Sequence, residues 1–208
     1  MWQIVACTFL SAYLLGSVPN GWIAGRIAGV DVRKCGSGNI GATNVLRVLG
    51  RPYGIAVFAA DALKGFIAVR LALWLVSLVP DAAQYAEPLG IFAAATCVAG
   101  HAFPVWLRFK GGKGVATSVG ALAGIVPIAA GAIFLVWLAV FLTTRYVSLA
   151  SILGALALPL VVALLVQQKV HGPVLLYFTI GMTALVIWRH RSNISRLLEG
   201  TEPRFTRK

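Results

Sequence analysis

The segment from Lys34 to Arg47 reads Lys-Cys-Gly-Ser-Gly-Asn-Ile-Gly-Ala-Thr-Asn-Val-Leu-Arg. Three glycines, two amides and two hydroxyls lie between a base at either end, with no acid. Glycine lets a backbone approach a ligand closely, and successive N–H groups can cradle an anion. The chemistry expected here is phosphate binding. Lys34 and Arg47 add positive charge at the segment's rim, and Gly36, Ser37, Gly38, Asn39, Gly41, Thr43 and Asn44 lie between them. Gly36-x-Gly38-x-x-Gly41 matches a dinucleotide fingerprint literally. That fingerprint requires a strand–turn–helix context, which apolar flanks of membrane length exclude.

Three further segments carry compatible chemistry. Phe109 to Ser118 contains Lys110, Gly111, Gly112, Lys113 and Gly114, a second glycine-rich cradle with two cations. It is not a Walker A loop, because Gly114 follows Lys113 where Ser or Thr is needed. Thr144 to Ser151 sets Arg145 near Ser148 and Ser151, which are three residues apart and share a helix face. Arg189 to Glu202 holds His190, Asn193 and Glu202, with His190 suited to carry a proton near neutral pH. Asp61 and Lys64, also three apart, are expected to form a structural ion pair inside an apolar helix. His101 is expected to be a packed, hydrogen-bonded histidine. Gly21, Gly25, Gly29, Gly120 and Gly124 fit close helix packing. No His, Cys and carboxylate set has metal-ligand spacing, so neither metal nor cofactor is expected. Cys7, Cys35 and Cys97 are too scattered for a disulfide framework.

The elements that position these groups are membrane helices. The chain has 208 residues, 59% of them hydrophobic and only 12% charged, with a mean hydropathy of +0.87. A soluble domain is about 25% charged. Apolar runs cover roughly 2–25, 53–79, 88–106, 115–143, 147–166 and 173–188. The first run lacks a basic leader and is read as a retained helix. The run 115–143 would make a helix of about 43 Å against a hydrocarbon core of about 30 Å. Two short or tilted helices within 114–144, broken near Pro127, resolve this. Seven spans with the N-terminus outside then place fifteen of the eighteen Lys and Arg residues in cytoplasmic segments. Arg207 and Lys208 of the tail are among them. The expected fold is an all-α integral membrane protein, a seven-transmembrane-helix bundle with a cytoplasmic C-terminus, forming a single domain over 1–208. On this assignment the four polar segments share the cytoplasmic face and are able to meet there. The net charge of +12 thus reports orientation rather than nucleic acid.

With these segments placed, the chain resembles the bacterial PlsY family of acyl-phosphate:glycerol-3-phosphate acyltransferases. The resemblance runs from Gly16-Ser-Val-Pro19 to Glu202. It includes Gly36 to Asn44 with Arg47, Gly100-His-Ala-Phe-Pro104 ahead of Phe109 to Thr117, Ser148 to Ser151, and His190 to Glu202. It implies a seven-helix inner-membrane enzyme with a cytoplasmic active site. It implies transfer of a fatty acyl group from acyl phosphate to the 1-hydroxyl of glycerol 3-phosphate, giving lysophosphatidate and phosphate. Neither acyl-CoA nor acyl carrier protein is then the direct donor. Besides the lipid bilayer, the implied partners are the two substrates, with no obligatory protein partner. Functional positions carry over to Ser37, Asn39 and Arg47, to the glycines and lysines of the second loop, and to His190, Asn193 and Glu202. Catalysis is expected from His190, Lys113, Ser37 and Arg47. The proton acceptor is either His190 or a substrate phosphate. A transporter of an organic phosphate is the alternative, since basic motifs and broken helices suit it too.

Overall fold

The computed structural model describes residues 1–205; Arg207 and Lys208 lie outside the described residues. Among the described residues the regular structure is helical, with no strand. A lipid-embedded backbone must satisfy its polar groups internally, which a helix does residue by residue. Four helical stretches are long and apolar enough to cross a membrane: Trp2–Ile27, Ala83–Leu107, Pro127–Thr144 and Val147–Gln167. Pro173–Arg189 with Arg191–Leu198 adds a fifth, if that pair, bent by 59°, is taken as one span.

The chain divides into two compact units, Met1–Ile125 and Val126–Lys208. The first contains α1 (Trp2–Ser17), α2 (Asn20–Ile27), α3 (Ala42–Leu49), α4 (Arg51–Ser77), α5 (Ala86–Ala102) and α6 (Val115–Ile125). α4 is its axis, packed by α1, α5 and α6. Small residues allow the close approach. A Cβ at Gly16 would collide with the Cys97 carbonyl, and one at Gly120 with the Ala62 carbonyl. The first apolar run is interrupted at Val18–Pro19, because proline has no N–H to continue the ladder. Gly21 and Gly25 abut backbone carbonyls as packing positions should, and Gly124 abuts the Val69 side chain. Gly29 does not pack: it stands in open space at φ 71°, a left-handed turn residue after α2.

The second unit contains α7 (Pro127–Thr144), α8 (Val147–Gln167), α9 (Pro173–Arg189) and α10 (Arg191–Leu198). α8 packs against both α7 and α9. The long run 115–143 is broken where expected. α6 ends at Ile125, and α7 starts at Pro127, whose fixed φ suits a first helical turn. α6 has 11 residues, about 16 Å of helix, and cannot by itself cross a hydrocarbon core of about 30 Å.

Candidate active site

In the first unit an apolar cluster of Ala24, Val32, Ile40, Val45, Val57 and Leu107 anchors both glycine-rich loops. Val32 and Val45 bracket the first loop, and Leu107 leads into the second. The first loop is built around one side chain. Asn44, only 2% exposed, donates from Nδ2 to the carbonyls of Val32 (3.0 Å), Cys35 (3.2 Å) and Asn39 (2.8 Å). Its Oδ1 accepts the Ser37 N–H at 2.8 Å. Gly36 (φ 60°) and Gly38 (φ 71°) have the left-handed backbone this wrapping needs, and a Cβ on Gly36 would strike Asn44 Oδ1.

The same bonds change the expected anion chemistry. The N–H groups of Ser37, Gly38 and Gly41 donate inside the loop, to Asn44 Oδ1, the Cys35 carbonyl and Asn39 Oδ1. The backbone cradle expected at these positions is therefore turned inward. Outward, the loop offers the exposed side chains of Ser37, Thr43, Lys34 and Arg47. Asn39 and Asn44 shape the loop. Asp31, absent from the sequence-based site, binds Arg33 through Oδ1 (2.9 Å) and Oδ2 (2.8 Å). That hydrogen-bonded pairing holds its carboxyl down at about 2, so the Arg33 charge is neutralised locally and those of Lys34 and Arg47 are not consumed by Asp31.

The second loop caps α5. Gly111 and Gly112 donate their N–H groups to the carbonyls of Ala102 and His101, each at 3.1 Å. They satisfy two of the carbonyls a helix end leaves without partners. Lys110 is exposed and Lys113 half-buried. Gly114 (φ 83°) then turns the chain into α6, whose first-turn N–H groups lack intrahelical partners and favour negative charge.

In the second unit His190 sits at the bend between α9 and α10, 2% exposed. Its Nδ1 lies 2.8 Å from the Val186 carbonyl. A carbonyl only accepts, so Nδ1 carries the hydrogen and Nε2 is the ring nitrogen able to accept a proton. Asn193 Nδ2 donates to Glu202 Oε1 at 2.7 Å, and Arg196 Nε donates to Glu202 Oε2 at 2.7 Å. Ser148 is buried. Ser151 donates to the Val147 carbonyl at 2.8 Å and accepts from Trp137 Nε1 at 3.3 Å. The tail is pinned by Phe205 N–H to the Arg145 carbonyl (2.8 Å) and Arg204 Nε to the Tyr146 hydroxyl (3.0 Å).

Burial pushes the Glu202 carboxyl up, but Ser148, Asn193 and Arg196 outweigh it and hold it below the usual carboxylate range. Ser148 Oγ lies outside strict hydrogen-bond geometry, yet its hydroxyl favours the charged form. A depressed folded-state value means this stabilisation is complete above the unfolded carboxylate value of about 4.3 and is lost as pH falls through the folded one. Glu202→Gln is therefore expected to lower the thermal midpoint at pH 7 and to flatten its decline below about pH 4. Thermal unfolding in detergent from pH 7 to 3 checks this. Parallel profiles for the two proteins would refute it.

Ser37, Thr43, Arg47, Lys110 and Lys113 thus carry the outward polar chemistry of the first unit, and His190 a poised ring nitrogen in the second. Relatives named glycerol-3-phosphate acyltransferase include one from Desulforamulus reducens, 46% identical over 93% of this chain and 91% of its own. Another, from Aquifex aeolicus, is 45% identical over 93% of this chain and 95% of its own. The crystal structure of PlsY, an integral membrane glycerol 3-phosphate acyltransferase, in its glycerol 3-phosphate form shares 44% identity at a TM-score of 0.85. That match covers 97% of this chain and 96% of that one. Its lysophosphatidic acid form matches at 43% identity and a TM-score of 0.83, over 97% and 95% of the two chains. Residues 6–200 match the model of the glycerol-3-phosphate acyltransferase family, and with relatives of this identity over nearly the whole chain, the protein belongs to that family and is an integral membrane protein.

Proposed function

We propose that the protein transfers a fatty acyl group from acyl phosphate to the 1-hydroxyl of sn-glycerol 3-phosphate, releasing lysophosphatidate and inorganic phosphate. The observation that carries this reading is the match over 97% of the chain to PlsY, a glycerol 3-phosphate acyltransferase known in glycerol 3-phosphate and lysophosphatidic acid forms. Residues 1–208 act as one acyltransferase domain in the bacterial inner membrane, with seven spans, the N-terminus outside and the reaction at the cytoplasmic face. The distribution of Lys and Arg supports that orientation.

The first unit is assigned the phosphates. Ser37, Thr43 and Arg47 bind one, and Lys110, Lys113 and the start of α6 bind the other. Their charge stabilises the departing phosphate and the carbonyl oxyanion. The substrate hydroxyl oxygen attacks the acyl carbonyl carbon, and the bond from that carbon to the phosphate oxygen breaks. Phosphate leaves with the electron pair. Acyl phosphate is an activated mixed anhydride, so positioning supplies much of the rate. His190 Nε2 takes the hydroxyl proton; its Nδ1–H bond to Val186 supports that role. Asn193, Glu202 and Ser148 hold the segment that carries His190, and Ser151 joins α8 to Trp137 of α7.

Vesicles containing the purified protein, supplied with acyl phosphate and labelled glycerol 3-phosphate, test the reading. Labelled lysophosphatidate in the bilayer is the expected product. Label trapped unchanged in the lumen would instead identify a transporter.

A further inference from the structure

Asp61, Lys64 and His101 are buried in the first unit, 2%, 6% and 5% exposed, and take no part in the reaction proposed above. Asp61 Oδ1 accepts from Lys64 Nζ at 2.8 Å and from Asn20 Nδ2 at 2.9 Å. It stands 3.6 Å from His101 Nδ1. Lys64 Nζ also donates to the Val18 carbonyl at 2.8 Å, at the break between α1 and α2. Burying such a pair costs desolvation, and well-packed apolar residues often stabilise as much or more. Stability alone is a weak reason for its presence.

The other end of His101 supplies a stronger one. Its carbonyl accepts the Gly112 N–H at 3.1 Å, and its imidazole turns its Nε2 edge toward the same glycine. A Cβ at Gly112 would overlap His101 Nε2, and one at Gly111 would overlap the His101 carbonyl oxygen. Gly112 is followed directly by Lys113. One histidine thus spans from a buried carboxylate shared by α2 and α4 to the backbone that presents the lysine.

We propose that His101, seated on Asp61, is a positioning residue for acyl transfer. It sets the height and direction of the Lys110–Gly114 loop and so aims Lys113. The inference rests on the functional reading above, in which that loop binds a substrate phosphate. A displacement of about 1 Å at such a site can cost about 100-fold in rate.

The test uses the full chain with His101→Asn, His101→Ala, Gly112→Ala and the double variant His101→Ala/Gly112→Ala. Asparagine keeps an amide N–H toward Asp61 but removes the ring body from Gly112. His101→Asn is expected to keep the thermal midpoint close to wild type while kcat/KM falls about 10- to 100-fold. Gly112→Ala is expected to lose a similar factor. In the double variant the added methyl meets no imidazole, so the losses do not multiply. Hydrogen–deuterium exchange of residues 110–114 is expected to quicken in His101→Asn. Wild-type kinetics in both His101 variants, or multiplying losses, would overturn the proposal. So would unchanged exchange in residues 110–114, whatever the activity. A wild-type protein that exchanges as expected but makes no lysophosphatidate overturns the functional reading and, with it, the role in acyl transfer, leaving His101 a support of the loop alone.

Discussion

Replacing Lys113 by alanine lowers turnover by about 100- to 1000-fold, with little change in thermal midpoint. The residue is half-buried between Gly112, which rests on His101, and Gly114, which turns into α6. An ammonium held there adds a full charge to the partial positive charge of a helix start. In acyl transfer from acyl phosphate, negative charge grows on the carbonyl oxygen and on the phosphate that departs. A fixed cation aimed at either is worth more in the transition state than in the ground state, which makes kcat the sensitive quantity. Lys113→Arg restores little, because the planar guanidinium is larger and points its donors differently from a compact ammonium. Lys110 is exposed on the same loop, and its loss costs only a few-fold. Steady-state kinetics of the purified variants with synthetic acyl phosphate check the ranking. Equal effects at Lys110 and Lys113 would contradict it.

Asn44→Ala is the second large effect, and it acts without touching substrate. Four hydrogen bonds converge on that amide, one accepted from Ser37 and three donated to the loop's carbonyls. Removing it leaves buried polar groups without partners, at about 1–3 kcal/mol for each that water cannot reach. The loop then loses the wrapping that sets Ser37 beside α3, which carries Arg47. Activity is expected to fall about 100-fold or more, with a lowered thermal midpoint. Asn44→Asp does not rescue it, since the carboxylate keeps the acceptor for Ser37 but turns an acceptor toward three carbonyls. Parallel measurement of midpoint and turnover in both variants checks this. A normal turnover in Asn44→Asp would refute the account of the loop.

Much of the fold follows from patterns that a one-dimensional string preserves. Long apolar runs dictate helices, Pro127 marks where one run must break, and the three-residue spacing of Asp61 and Lys64 makes an intrahelical pair, found at 2.8 Å. The glycine-rich segments stand out because few other roles need that composition between spans. What the string hides is the partner each polar group finds. Glycine content points to backbone N–H groups near the surface, but Asn44, the Cys35 carbonyl, Asn39 and the end of α5 take those of Ser37, Gly38, Gly41, Gly111 and Gly112. No spacing rule links Asn44 to Val32, twelve residues back. The break at Pro19 was masked by apolar residues on both sides. Gly29 resembled a packing glycine because its four-residue spacing from Gly25 matched that pattern, although its backbone is left-handed. His101 is buried, as a packed histidine should be. Its position immediately ahead of the Lys110–Gly114 loop was the available sign of a link to the site.

The His190 tautomer is likewise a matter of three-dimensional partners. The Val186 carbonyl, four residues earlier on α9, receives the Nδ1 hydrogen. The bend after Arg189 places that ring at the end of one helix and the start of the next.

The most direct test of the central claim follows both products at once. Purified full-length protein is incubated with a long-chain acyl phosphate and labelled glycerol 3-phosphate, and labelled lipid and inorganic phosphate are measured against time. The account predicts lysophosphatidate and phosphate in equal amounts, acylated at the 1-hydroxyl, with acyl-CoA unable to replace the donor. Phosphate release without labelled lysophosphatidate, or acylation that proceeds equally well from acyl-CoA, would contradict it.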